Sequence, residues 1–292
     1  MYYITTGASG ILDTDMRTGH RTGVAITYER RFACLPTIVS LVCTFASIRL
    51  WLLCPNLPEL SPSELVTVGL LFALKGDGPR RFSRWLHDND RSWFPRLPDR
   101  TRLFRLLATP ADWTECFLAQ PTLLGVADTY GIELRHPWRE DRADGQSGGK
   151  GLSNHRWIVG AKLAYVVNQY GLIVAWDDAA ANVADNAFRD VIADFQDEMV
   201  LLTDMAFHST AGDPPNQKAC KRGTWNGRMV VETVLSLLTL GCRLKKASQR
   251  TWTGLRARLA YTMALFNILV LWDGIPVDDD GNIHLSIAEF VL

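Results

Sequence analysis

Residues 156–176 read RWIVGAKLAYVVNQYGLIVAW, and this stretch decides the fold class. Two runs rich in aliphatic and aromatic residues flank the turn Asn168-Gln-Tyr-Gly171, which is the pattern of a β-hairpin. A short apolar run that ends in an acid, Thr122–Asp128, precedes the hairpin, and a second one, Met199–Asp204, follows it. Helical patterns lie between and after these strands. The order of strand, hairpin, helix, strand and helix predicts an α/β fold.

Helical patterns also fill the chain before the first strand. Ser61-Pro-Ser-Glu64 has the form of a capping box with Pro at the first helical position, so it predicts a helix over 62–75. Three more helices are predicted over 79–87, 99–108 and 111–119. We therefore expect residues 59–120 to form a small all-α unit that precedes the sheet.

The second half of the chain alternates loops with helices. Asp185 is placed to cap a helix that ends near residue 196. The glycine-rich run 145–151 lacks the leading Gly and the trailing Ser or Thr of a phosphate-binding loop, so it is interpreted as a mobile loop. Longer helices are predicted over 225–240 and 250–272. The apolar part of the last helix, Leu259–Trp272, is 14 residues long, which suits a buried helix better than a membrane span of about 20 residues.

The charge is balanced overall but uneven along the chain. Lys plus Arg number 31 and Asp plus Glu number 31, so the formal net charge is zero. Residues 127–204 carry 13 acidic and 7 basic side chains, whereas residues 205–258 carry 2 acidic and 10 basic ones. Opposed patches of this kind are expected when a carboxylate site for cations lies beside a surface for phosphates. Chance variation in composition is the alternative.

Cysteines and apolar segments exclude other classes of protein. The six cysteines form no CxxC pair and no histidine stands at metal-ligand spacing, so neither a zinc ribbon nor a disulfide framework is predicted. The stretch Ala33–Cys54 is uncharged for 16 residues until Arg49 interrupts it. A membrane span needs about 20 apolar residues, so a buried segment is favoured and a membrane anchor is the weaker alternative. Residues 1–58 otherwise show no sustained hydrophobic pattern of a helix or a strand, and we interpret them as a poorly ordered extension.

Three acids are candidates for metal binding because of their positions. Asp128 and Asp204 end predicted strands, and Glu232 lies on a predicted helix four residues after Arg228. Carboxylate oxygens are preferred ligands of Mg²⁺ and Mn²⁺, and two such ions about 3.5–4 Å apart serve in-line phosphoryl displacement. The alternatives are structural, because an Asp at a strand end often caps a turn and Glu232 could pair with Arg228 on the helix surface.

The sequence blocks around these acids resemble a known family. The blocks are Gly125–Glu133, Leu201–Phe207 and Trp225–Glu232, and 75 and then 27 residues separate the three acids. Their order and spacing are similar to the catalytic blocks of bacterial insertion-sequence transposases of the DDE type, over roughly residues 60–275. The resemblance implies an RNase H-like catalytic domain over 121–275, with a mixed sheet flanked by helices. Residues 276–292 would form a C-terminal tail.

The resemblance also implies roles for individual residues. Asp128 would touch both metal ions, while Asp204 and Glu232 would each bind mainly one. The cofactors would be two Mg²⁺ ions, with Mn²⁺ as the alternative, and no organic cofactor is expected. Around the Glu, Arg228 matches the family pattern, but Thr239 stands where a Lys is expected. The residues expected to contact DNA are Trp225, Arg228, the possible substitutes for that lysine (Arg243, Lys245 and Lys246), and, in the helical unit, Arg100, Arg102 and Arg105.

The function that the resemblance implies is DNA transposition. The enzyme would bind the terminal inverted repeats of an insertion sequence through its helical unit, residues 59–120, and would catalyse strand cleavage and strand transfer. Its partners would be transposon ends and target DNA, bound by a homodimer in the bacterial cytoplasm, at the nucleoid. The rival interpretation is an inactive DNA-binding remnant of a transposase, because residues 1–58 differ from the family pattern.

Overall fold

A computed structural model describes most of the chain after residue 59. The described residues are 60–109, 111–136, 148–153, 156–221, 228–247, 249–272 and 285. The predicted extension, residues 1–58, and the apolar stretch Ala33–Cys54 within it lie outside this part. So does the predicted tail, residues 276–292, except for Leu285.

The first helix, α1 (Pro62–Lys75), begins at the predicted capping box. The Ser61 hydroxyl accepts a hydrogen bond from the Glu64 amide at 3.3 Å, and the Glu64 carboxylate accepts one from the Ser61 amide at 2.7 Å. The helix ends at Gly76, whose φ of 65° lies in the left-handed region that favours glycine. Three further helical segments follow: α2 (Pro79–Asn89), α3 (Arg100–Ala108) and a 3₁₀ helix (Ala111–Phe117). The predicted all-α arrangement before the sheet is thus confirmed.

One mixed sheet forms the centre of the described structure. Its strands are β1 (Leu124–Arg135), β2 (Gly149–Ser153), β3 (Arg156–Asn168), β4 (Ile173–Ala180), β5 (Val200–Thr203) and β6 (Gln217–Ala219). The strand order is β2-β3-β1-β5-β6, and β4 pairs with β3. The pairs that include β3 are antiparallel, whereas β1 with β5 and β5 with β6 are parallel. Helices flank this sheet, so the predicted mixed α/β class is confirmed.

The first strand is longer than the sequence predicts. The apolar run was expected to end at Asp128, but β1 continues to Arg135 because it pairs with β3 as far as Val159. Ile132 is buried in this second half of the strand. Asp128 therefore lies within β1, and only Asp204 directly follows the end of its strand.

Two local predictions are wrong because distant contacts decide the structure. Part of the glycine-rich run 145–151 was predicted to be a loop, yet β2 begins at Gly149 and pairs with β3. A side chain at Gly151 would overlap the Ala181 carbonyl, which explains the glycine in a strand. Asp185 begins a 3₁₀ turn rather than capping a longer helix. Its carboxylate forms an ion pair with Lys162 of β3 at 2.6 Å.

Two long helices cover one face of the sheet. They are α5 (Arg228–Leu240) and α6 (Trp252–Trp272), and the short helix α4 (Arg189–Ala193) lies on the opposite face. The larger buried cluster joins side chains of α1, α2, α3, α5 and α6 to those of β1 and β3. Helix α6 is long and apolar enough to cross a membrane, but most of it is buried inside the structure. The expectation that this apolar helix is buried is thus confirmed.

Buried polar side chains fix α6 in this position. Asn267 is fully buried, and its amide bonds to both the N–H and the carbonyl of Ile173, where β4 begins, and to the Phe117 carbonyl. Arg258 donates to the carbonyls of Phe72 and Ala73 at the C-terminal end of α1. Burial lowers the pKa of this arginine to about 10.

Candidate active site

The parallel pairing of β1 with β5 ends two residues before two of the predicted acids, Asp128 and Asp204. Leu124 pairs with Val200, and Val126 pairs with Leu202. Two residues farther along, the same register aligns Asp128 with Asp204, whose backbone is still extended at φ −78° and ψ 174°. Neighbouring strands are about 4.8 Å apart, and residues two apart point to the same face. Both carboxylates therefore lie on the face that α5 and α6 cover.

Backbone amides orient both carboxylates. Asp128 Oδ1 accepts from the Thr129 N–H at 2.7 Å, and Asp204 Oδ1 accepts from the Ala206 N–H at 2.9 Å. The second bond caps a 3₁₀ turn, Met205–Phe207. Asp128 is half-buried, whereas Asp204 is exposed. An ionised carboxylate has about four lone-pair sites, so one backbone bond does not use the full acceptor capacity of either group.

Glu232 approaches the same face of the sheet from α5. Val231 and Val234 of this helix are buried in the larger cluster, and the Glu232 side chain is exposed at the edge of that contact. Tyr165 of β3 lies directly opposite Asp128 in the β1–β3 ladder. Burial raises the pKa of the Tyr165 phenol well above its ordinary value, and the negative charges of Asp128 and Glu232 raise it further. Both carboxylates thus lie close enough to act on one phenol.

The three acids are not arranged as a set of ligands that could hold one metal ion together. Within the residues that the structure describes, no group of three or more His, Cys, Asp or Glu side chains has the spacing to hold a metal ion. The two aspartates still fit a divalent cation by the chemistry of their oxygens and by their register. The buried Tyr165 hydroxyl beside them also lacks a hydrogen-bond partner among the described residues. The part that fits a cation is therefore the aspartate pair, with Glu232 nearby.

A basic groove runs along β1 beyond Asp128. It has a volume of about 380 Å³ and extends from Tyr130 to His136. Its cationic side chains are Arg135, Arg156 and the predicted DNA contact Lys245, and Arg156 forms an ion pair with Glu133. Arg135 and Arg156 could not be recognised as neighbours from the sequence, because only the register of β1 with β3 brings them together.

The other predicted DNA contacts near α5 have different surroundings. Trp225 and the side chains of Arg228 and Lys246 lie outside the described part of the chain. Arg243 is half-buried, with a left-handed φ of 54°, and its side chain packs against Gly76 at the end of α1.

A second basic groove lies in the helical unit. Arg80, Arg84 and His87 follow one another at helical spacing along α2. Together with Arg91, which follows the helix, and Arg100 of α3, they line a groove of about 660 Å³. Of the two other predicted arginines, Arg102 is half-buried and Arg105 is exposed, and neither lines this groove. The Arg80 and Arg84 positions are predictable from the spacing of charges opposite the buried residues of α2, whereas Arg91 lies beyond the end of that helix.

Fold and site together define a mixed α/β protein with paired aspartates on neighbouring parallel strands and basic grooves on its surface. No family model, curated protein or solved structure matches the chain.

Proposed function

We propose that the chain is a DNA transposase of the DDE type with an RNase H-like catalytic core. It would bind the terminal inverted repeats of an insertion sequence and catalyse metal-dependent strand cleavage and strand transfer. The main support for this proposal is the parallel register of β1 and β5, which pairs Val126 with Leu202, two residues before Asp128 and Asp204 respectively. The sequence resemblance picks out the same two residues from blocks 75 residues apart.

The catalytic acids would be Asp128, Asp204 and Glu232, with two Mg²⁺ ions, or Mn²⁺, as cofactors. Such a pair of ions activates the attacking oxygen and stabilises the leaving oxygen of an in-line displacement. The Thr129 and Ala206 amides hold the two aspartates in fixed orientations before any ligand binds. Glu232, on α5, would be the third ligand, and its side chain is exposed.

The basic groove along β1 would hold the backbone of the DNA strand being cut. Tyr130, at its near end, is two residues from Asp128, a distance of about 7 Å along a strand. Lys245, Arg135 and Arg156 would contact phosphates there. Arg228 would contact the phosphate beside the scissile bond, as the resemblance implies.

The arginine groove between α2 and α3 supports a role in binding the transposon end. Four arginines and a histidine line it, against the two acids Asp88 and Asp99. Phosphate contacts of this kind supply affinity that does not depend on base sequence. We further propose a homodimer on DNA, active in the cytoplasm at the nucleoid.

The second candidate function is an inactive DNA-binding remnant of a transposase. The absence of a closed three-ligand group among the described residues favours it. Thr239, where the family has a Lys, favours it as well.

A cleavage assay distinguishes the two functions. The substrate is a plasmid that carries the coding region with its flanking DNA, incubated with the protein and Mg²⁺. We expect the wild type to nick this DNA at the element ends and Asp204→Ala to lose cleavage while it still binds DNA. Asp197→Ala removes an exposed acid three residues before β5 and is the matched control, expected to cut at the wild-type rate. Cleavage by Asp204→Ala at the normal rate would refute the transposase mechanism, whereas binding without cleavage by the wild type would favour the remnant.

A further inference from the structure

The hydroxyl of Tyr165 is buried, and this residue is paired with Asp128 across the β1–β3 ladder. The residue is 0% exposed, and its hydroxyl has no hydrogen-bond partner among the described residues. A buried hydroxyl that makes no hydrogen bond destabilises the fold, because it loses water without compensation. A phenylalanine would fill the same space without this cost. Two described tyrosines have such a hydroxyl, Tyr165 and Tyr261, and of the two only Tyr165 has carboxylates near it that could become its partner.

The geometry identifies the nearest candidate for that partner. Tyr165 and Asp128 are directly opposite each other in the antiparallel β1–β3 ladder, so their side chains share a face and their Cβ atoms are about 5 Å apart. Helix α5 brings Glu232 to this face. Burial and then the charges of Asp128 and Glu232 raise the pKa of the phenol. A tyrosine phenol carries its proton at neutral pH, so in this position Tyr165 is a donor and not an anionic ligand.

We propose that Tyr165 is a positioning residue whose hydroxyl donates a hydrogen bond to the Asp128 carboxylate when that carboxylate binds a divalent cation. This inference rests on the proposed function, in which Asp128 is a metal ligand. Donors that hold a ligating carboxylate fix its orientation, and their loss weakens metal binding. The Thr129 amide already holds Oδ1 of Asp128, and the phenol would hold the carboxylate from the buried side of the sheet.

The chain contains a matched control in Tyr261 of α6. This residue is 1% exposed, and its hydroxyl also has no partner among the described residues. Its pKa is raised by burial alone, with no contribution from a carboxylate. Tyr261→Phe therefore removes the same buried group as Tyr165→Phe, but away from the candidate acids.

The experiment measures Mn²⁺ binding to the full-length protein without DNA, by electron paramagnetic resonance of the free ion. We expect Tyr165→Phe to weaken Mn²⁺ binding by about tenfold or more, and Tyr261→Phe to leave it unchanged. Both variants should unfold at or above the wild-type urea midpoint, since each loses only a hydroxyl without a partner. Wild-type affinity in Tyr165→Phe, or an equal loss in Tyr261→Phe, would overturn the role of Tyr165.

The same titration separates this inference from the proposed function. If the wild type binds Mn²⁺ and Asp128→Asn loses it, while Tyr165→Phe binds normally, only the role of Tyr165 is wrong. If the wild type binds no Mn²⁺, the metal-dependent function is wrong and the role of Tyr165 is wrong with it.

Discussion

Replacement of Asn267 by alanine should destabilise the fold that supports the candidate site. The Asn267 side chain makes three hydrogen bonds, of 2.9 Å to the Ile173 N–H, 2.8 Å to the Ile173 carbonyl and 3.0 Å to the Phe117 carbonyl. The Ile173 carbonyl keeps a second donor, the Ala119 N–H, whereas the Ile173 N–H would lose its partner while buried. A buried group left unpaired costs about 1–3 kcal/mol, and each other bond about 1 kcal/mol. We therefore expect Asn267→Ala to lower the free energy of unfolding by about 3–5 kcal/mol.

Urea unfolding followed by circular dichroism measures this loss as a shift of the midpoint at constant slope. The control is Asn89→Ala, because Asn89 is exposed and makes one side-chain bond to the Trp85 carbonyl. That change should cost less than about 1 kcal/mol. If the free energy of unfolding of Asn267→Ala lies within about 1 kcal/mol of the wild-type value, this amide does not fix α6 to β4.

Two further predictions concern charge. Burial raises the pKa of Asp178, and its ion pair with Arg256 only partly opposes this effect. Since the folded state then binds the proton more tightly than the unfolded state, stability should fall as the pH rises from 3.8 toward the raised pKa. Asp178→Asn should remove this fall in the free energy of unfolding with rising pH, which urea unfolding at a series of pH values measures. The same pH dependence in Asp178→Asn and the wild type would contradict the prediction. In the arginine groove, Arg84→Ala should weaken DNA binding and reduce the salt dependence of log K by about 0.9 for each phosphate that the variant no longer neutralises. Arg81 is exposed outside the groove, so equal weakening by Arg81→Ala in fluorescence anisotropy titrations would contradict a groove-specific interaction.

The helices could be predicted from the sequence because their signals are local. Ser61 and Glu64 form the capping box that their spacing predicted, and the Asp99 carboxylate accepts from the amides of Thr101 and Arg102 at the start of α3. The turn at 168–171 and the hairpin around it were also evident from a short window. In each case, residues within a few positions of one another determine the structure.

Pairing between distant strands could not be read in this way. The length of β1, the strand formed at Gly149 and the ion pair of Lys162 with Asp185 all depend on contacts with β3. The aspartate pair was predicted from resemblance, but its alignment follows only from the β1–β5 register. The role proposed for Tyr165 could not be predicted from the sequence, because the residue has the pattern of any core residue. Only the β1–β3 register places it opposite Asp128.

In the proposed mechanism, Asp128 and Asp204 act together as ligands of divalent cations. Titration of Mn²⁺ into the wild type, Asp128→Asn and Asp204→Asn, with bound ions counted per chain, tests this most directly. We predict two ions in the wild type, weaker binding of both in Asp128→Asn, and loss of mainly one in Asp204→Asn. Equal Mn²⁺ binding by all three proteins would contradict the claim.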